Sequence, residues 1–119
     1  MVAELNKDNF KSTIDDNAIV VIDFWAPWCG PCRSFAPVYE KVSQLYPDIH
    51  FAKVNTEDQQ ELGGVFNIRS IPTLMIFRDQ VIVFNQAGAL PENALKQILD
   101  QVKELNMDDV RKQIAGQEK

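Results

Sequence analysis

The stretch AIVVIDFWAPWCGPCRSFAP, residues 18–37, runs an Ile/Val/Phe block straight into a proline-framed pair of cysteines and then into a helical pattern. Residues 18–25 form a nearly continuous apolar run, as expected of a strand covered on both faces of a sheet. From Pro31 to Tyr46 the apolar residues Phe35, Val38, Tyr39, Val42 and Leu45 keep helical spacing, and Pro47 stops the pattern. A buried strand feeding a helix is an α/β unit. Cys29 and Cys32 fall where the strand ends and the helix starts, the end of an open α/β sheet at which sites form.

Outward from this unit, IHFAKVN (49–55) reads as a second strand with Ile49, Phe51 and Lys53 on one side, and DQQELGGVF (58–66) as a short helix ended by Gly63 or Gly64. TLMIF and VIVFNQA, joined at Arg78-Asp79-Gln80, read as a β-hairpin. Its turn is unusual, because a two-residue hairpin prefers Gly or Asn where φ is positive, and Gln80 is neither. A further helix runs from Pro91 to about Leu105 with Leu95, Ile98, Leu99, Val102 and Leu105 on one stripe. With a short helix near residues 7–16, the order predicts an α/β fold: a central mixed sheet flanked by helices on both faces. The first strands are joined by a right-handed crossover and the last two are antiparallel.

The chain has 119 residues, 45% of them hydrophobic, which suits one domain. A net charge of −5 with twelve scattered basic residues argues against a nucleic-acid partner. The start MVAELNKDNF lacks the basic and apolar parts of a secretory signal, and no apolar run approaches the roughly 20 residues of a membrane span. These features predict a cytoplasmic protein with no membrane partner.

Three jobs fit two cysteines three residues apart. As a staple, the pair closes a loop so short that the entropy it removes is worth only on the order of 2 kcal/mol, and a cytosolic chain keeps such a bond poorly. As a metal site it is short of ligands, since the one histidine, His50, lies on another strand and reads as a surface residue; a site shared between two copies is the remaining metal option. As a redox pair it uses its neighbours. A thiolate at a helix N-terminus is stabilised by unpaired backbone N–H groups and the helix dipole. Cys29 gains that benefit and is expected to be the more exposed, so it is assigned as the attacking thiol. Cys32, one turn inside, is assigned to resolve the mixed disulfide. Pro31 suits the first helical turn, and Gly30 lets a partner chain approach.

The string DFWAPWCGPC followed by AP, together with RSIPTLMIF and QAGAL, resembles the thioredoxin family in order and spacing from about residue 7 to 105. The resemblance implies the thioredoxin fold over residues 1–105, with 106–119 as a C-terminal extension forming a short helix or a frayed tail. It implies a monomeric thiol-disulfide oxidoreductase that reduces disulfides in client proteins and binds no cofactor. Its electrons would come from NADPH through a separate thioredoxin reductase. By position, Asp23 matches the family's buried aspartate, and Lys53 the lysine that accompanies it. The Asp23 carboxyl, desolvated in an apolar run, would exchange a proton with Cys32. Pro72 matches the family's cis-proline, and Ile71 beside it would bond an extended client segment. Trp28, Ile71, Pro72, Gly88 and Ala89 would form the docking surface, while Trp25 reads as core packing.

The chain departs from the family pattern at Gln80, where the hairpin lacks the usual glycine, and in the residues after Leu105. One bacterial subtype with similar VNTE and IRSIPT segments carries an N-terminal zinc-binding segment, for which this chain has no cysteines. Two other functions compete. One is a non-catalytic binding subunit of the same fold that docks through its extension. The other is an oxidant or isomerase of secreted proteins, against which Gly30-Pro31 and the missing signal weigh.

Overall fold

The computed structural model describes residues 2–117. In chain order the elements are β1 (Val2–Glu4), α1 (Phe10–Asp16), β2 (Ile19–Trp25), α2 (Gly30–Leu45), β3 (His50–Asn55), α3 (Gln60–Val65), β4 (Thr73–Arg78), β5 (Val81–Ala87), α4 (Glu92–Glu104) and α5 (Met107–Gln117). Six of the seven residues of β2 are buried. Its side chains alternate between two cores, as a period of two requires. Ile19 and Val21 join Phe35, Tyr39 and Val42 of α2 and Leu95, Leu99 and Val102 of α4. Val20, Ile22 and Phe24 join Ile14 of α1, Leu62 of α3, and the rings of Phe10 and Phe66. Fully buried Phe24, Phe51, Ile22, Leu74, Leu95 and Leu99 each contribute roughly 1.5–3 kcal/mol of apolar burial.

The sheet runs β1-β3-β2-β4-β5. β1, β3 and β2 are parallel, β4 lies antiparallel to β2, and β5 pairs antiparallel with β4. The sheet is therefore mixed and carries helices on both faces, as the order of elements in the sequence predicts. Helix ends differ from the sequence reading by one to three residues. β1 was not foreseen at all. Three residues, Val-Ala-Glu, are too few to show an alternating pattern, and they are recruited by the open edge of β3, in register Val2↔Phe51, Ala3↔Ala52 and Glu4↔Lys53.

The hairpin turn is the tight one its length demands, with positive φ at both Asp79 (51°) and Gln80 (71°). Asp79 donates its backbone N–H to the Ala18 carbonyl at 2.8 Å, tying the turn to the start of β2. Beyond Leu105, Met107–Gln117 form α5, and its first residue, Met107, is buried. An isolated helix of eleven residues is marginal in water. This one is anchored by the buried Met107 and by Arg111, which pairs with Asp79 at 3.8 Å. Beside it, Arg78 donates through Nη1 to the carbonyls of Val102 (2.6 Å), Lys103 (3.2 Å) and Leu105 (2.7 Å), satisfying the end of α4.

Two stability effects follow. Gln80→Gly relieves a left-handed residue, offset in part by glycine's freedom in the unfolded chain, and raises the unfolding free energy by roughly 0.5–1 kcal/mol in urea titrations. Arg78→Met removes a charged donor from three carbonyls and lowers it by about 2 kcal/mol. A loss below about 0.5 kcal/mol would show that water caps α4 equally well.

Candidate active site

Cys29 is the N-cap of α2, in an extended conformation, with Pro31 in the first helical turn. The Cys32 backbone N–H donates to the Cys29 sulfur at 3.3 Å. The α2 N-terminus therefore places a donor and the positive end of sixteen aligned peptide dipoles on this sulfur, an environment that favours its thiolate. The two cysteines are paired as a disulfide, with Cα atoms 5.3 Å apart. The order of exposure is as expected, but the degree is not: Cys29 is 5% exposed and Cys32 2%. Cys29 is covered because Ala26, Trp25 and Ile71 pack around the pair, and its sulfur lies 3.8 Å from the Ile71 carbonyl oxygen.

The Ile71–Pro72 peptide is cis. Gly88, at φ 107°, donates its N–H to the Pro72 carbonyl at 2.8 Å, which joins this loop to the end of β5. Gly88 and Ala89 are exposed, Ile71 is half-buried and Pro72 is buried. Trp28 stands 67% exposed next to Cys29. A Cβ placed on Gly30 would meet nothing within 4 Å, so the fold itself does not demand glycine there. Arg33 reaches back through Nη1 to the Pro27 carbonyl at 3.0 Å and braces the loop that carries Trp28.

Behind the disulfide, a cavity of about 110 Å³ is lined by Asp23, Trp25, Cys32, Tyr39 and Lys53 among others. Asp23 is 4% exposed and its Oδ1 has no hydrogen-bond partner. Burial pushes its carboxyl up to about 7 from the ordinary 3.8, while the charge of Lys53 pulls the other way. Lys53 lies in register beside Asp23 on the neighbouring strand. Its ammonium, however, pairs with Glu4 at 3.6 Å and sits 5.0 Å from the centroid of the Trp25 ring. Trp25 is half-buried with its indole Nε1 buried and unpartnered, so it borders the site rather than only filling the core.

Sequence reasoning missed two residues here. Tyr39 was placed on the apolar stripe of α2, yet its hydroxyl lies within bonding distance of the Val21 (2.9 Å) and Ala52 (2.7 Å) carbonyls. Burial and the Asp23 charge both push the Tyr39 hydroxyl upward. A hydroxyl seven positions after Cys32 on a buried stripe was the available signal. Glu4 carried no signal, because it is defined by β1. Among the described residues no cluster of three or more His, Cys, Asp or Glu could hold a metal ion. Nor is any helix there long and apolar enough to cross a membrane.

The sequence model of the family described as Thioredoxin matches residues 1–101. The chain belongs to the thioredoxin family. It is 57% identical over 115 residues to the putative thioredoxin 2 of Streptomyces coelicolor, covering 97% of this chain and 86% of that one. A match of that length reaches past Leu105 into the extension. Thioredoxin 1 of Synechococcus elongatus is 43% identical over 102 residues, covering 84% of this chain and 95% of its own. Among solved structures, thioredoxin f2 of Chlamydomonas reinhardtii superposes with a TM-score of 0.80 at 31% identity, covering 89% of this chain and all (100%) of that one. A Plasmodium falciparum thioredoxin superposes with a TM-score of 0.79 at 36% identity, covering 84% and 98%. Family membership and the paired cysteines make this chain a dithiol-disulfide oxidoreductase with disulfide reductase activity. The reading as a binding subunit with incidental thiols is not favoured.

The Asp23 environment sets a pH dependence. Unfolded, the carboxyl releases its proton near 3.8; folded, it holds it to about 7. Between those values the folded chain binds more protons, so this part of the stability is complete below about pH 4 and is lost as pH rises through about 7. Asp23→Asn does not titrate. Its stability relative to wild type should therefore grow by roughly 2–4 kcal/mol from about pH 4 to about pH 8 and level off there, read by urea unfolding of the oxidised proteins. A difference that stays constant over this range would refute the buried-carboxyl account.

Proposed function

We propose that Cys29 is the attacking thiolate and Cys32 the resolving one in the reduction of disulfides in client proteins. The observation that carries this reading is the Cys32 N–H on the Cys29 sulfur at the N-terminus of α2. The Cys29 thiolate attacks a client disulfide, forming a Cys29–client bond and releasing the other client sulfur as a thiolate. The Asp23 carboxylate then takes the proton of the Cys32 thiol. Cys32 attacks the Cys29 sulfur, expelling the second client thiolate and closing Cys29–Cys32. Two electrons pass to the client. NADPH, through a thioredoxin reductase, restores the dithiol.

In this reading Trp28, Ile71, Pro72, Gly88 and Ala89 receive the extended client segment, Gly30 and Pro31 shape the short ring, and Lys53 tunes Asp23. The chain works as a monomer in the cytoplasm, with no cofactor or metal of its own. Residues 1–105 carry the activity, and the 106–119 extension braces the far end of the sheet through Met107 and Arg111. Support comes from the joining of the Pro72 and Gly88 segments beside Cys29 and from the unpartnered Asp23 Oδ1.

The test is turnover of a protein disulfide with NADPH and a thioredoxin reductase. Cys29→Ser should lose at least about 1,000-fold in rate, since the one thiol it leaves, Cys32, is buried one turn inside α2 and lacks the N-cap position of Cys29. Cys32→Ser should instead accumulate a mixed disulfide with the client on Cys29, seen as a mass adduct that dithiothreitol removes. An adduct forming on Cys32 in the Cys29→Ser variant at an equal rate would reverse the assignment.

A further inference from the structure

Glu4, Lys53 and Asp23 stand in one row across three neighbouring parallel strands, with Glu4↔Lys53 and Asp23↔Lys53 in register. In-register residues of adjacent parallel strands project to the same face, so the central ammonium has a carboxyl on either side. It engages only one. The Lys53 Nζ lies 3.6 Å from Glu4 Oε1, whereas among the described residues no ion pair reaches Asp23 and Asp23 Oδ1 has no hydrogen-bond partner. The choice follows solvation. The Glu4 side chain is 74% exposed, so pairing there leaves both charges partly hydrated, while turning onto Asp23 would strip water from the ammonium beside a buried carboxylate.

We propose that Glu4 is a positioning residue of the exchange reaction: by holding the Lys53 ammonium on the β1 side, it leaves Asp23 without an ion-pair partner and keeps its carboxyl available to carry a proton. The proposal deepens the proton role given to Asp23 above and rests on it. The groups around Asp23 are few. β3 brings Lys53; α2 brings Cys32, Arg33, Tyr39 and Glu40 to the shared cavity; β4 sets uncharged Leu74 opposite Asp23. β1 contributes Glu4, on the far side of Lys53. Loss of the Glu4 charge acts on Asp23 by two routes of one sign. It removes a negative charge, and it frees Lys53 to turn inward, so both favour the carboxylate.

The experiment is a carbon-13 titration of the Asp23 carboxyl in the oxidised wild type, Glu4→Gln, Lys53→Met and the double variant. Glu4→Gln, at an exposed position, should keep the wild-type urea midpoint while its Asp23 titration midpoint falls by roughly 0.2–0.7 pH unit. Lys53→Met should raise the midpoint, and adding Glu4→Gln to it should move it less than half as far as in the wild-type background. An unmoved or raised midpoint in Glu4→Gln overturns the proposal, as does an equal fall in both backgrounds. The acid limb of the reduction rate against pH should shift with the midpoint in Glu4→Gln. Because the titration reads Asp23 directly, an Asp23→Asn variant that reduces disulfides at the wild-type rate overturns the proton role separately.

Discussion

Water is excluded from both faces of β2, and the rest of the molecule is arranged around that dryness. Backbone groups in such a strand must find partners within the protein. The neighbouring strands supply most of them, and the Tyr39 hydroxyl adds a bond that ties α2 to the carbonyls of Val21 and Ala52. The same dryness makes the charge on Asp23 costly, which is why its carboxyl holds a proton to about neutral pH. The strand's end is where the dryness gives way: Trp25 is half-buried, and beyond it the chain turns outward into α2, delivering the cysteines to the rim.

Electrostatics at that rim divides the labour between two sources. The sulfur of Cys29 is served by backbone, through the Cys32 N–H and the helix dipole, and this depends on chain path rather than on any charged side chain. In the proposed exchange the proton is served by side chains, Asp23 and the Lys53–Glu4 pair beside it. Asp23 shares its small cavity with Cys32, whereas the Cys29 sulfur is held at the helix N-terminus outside that lining, so each can be tuned without moving the other.

The buried strand and the amphipathic helices were legible in the sequence because each writes its periodicity into adjacent residues. The cysteine pair and Asp23 were legible because they break that periodicity with chemistry of their own. What stayed hidden depends on long-range partners. Glu4 becomes meaningful only once β1 lands on β3. The covering of Cys29 comes in part from Ile71, a residue 42 positions away. The end of α4 depends on Arg78 and the anchoring of α5 on Asp79, which no local pattern connects to residues 102–111. Gln80 stands between these cases: the hairpin was readable, while its positive φ had to be tolerated by a side chain that does not favour it.

β4 begins at Thr73, next to the cis-proline, and ends at Arg78, which holds the end of α4 beside α5. Six residues of strand, about 20 Å, therefore separate the rim that carries the chemistry from the end that carries the tail. The molecule has a working end and a handle. A surface, a tag or a second domain joined after α5 would sit away from the mouth of the disulfide, so this is the end by which the protein can be tethered with the disulfide rim left open.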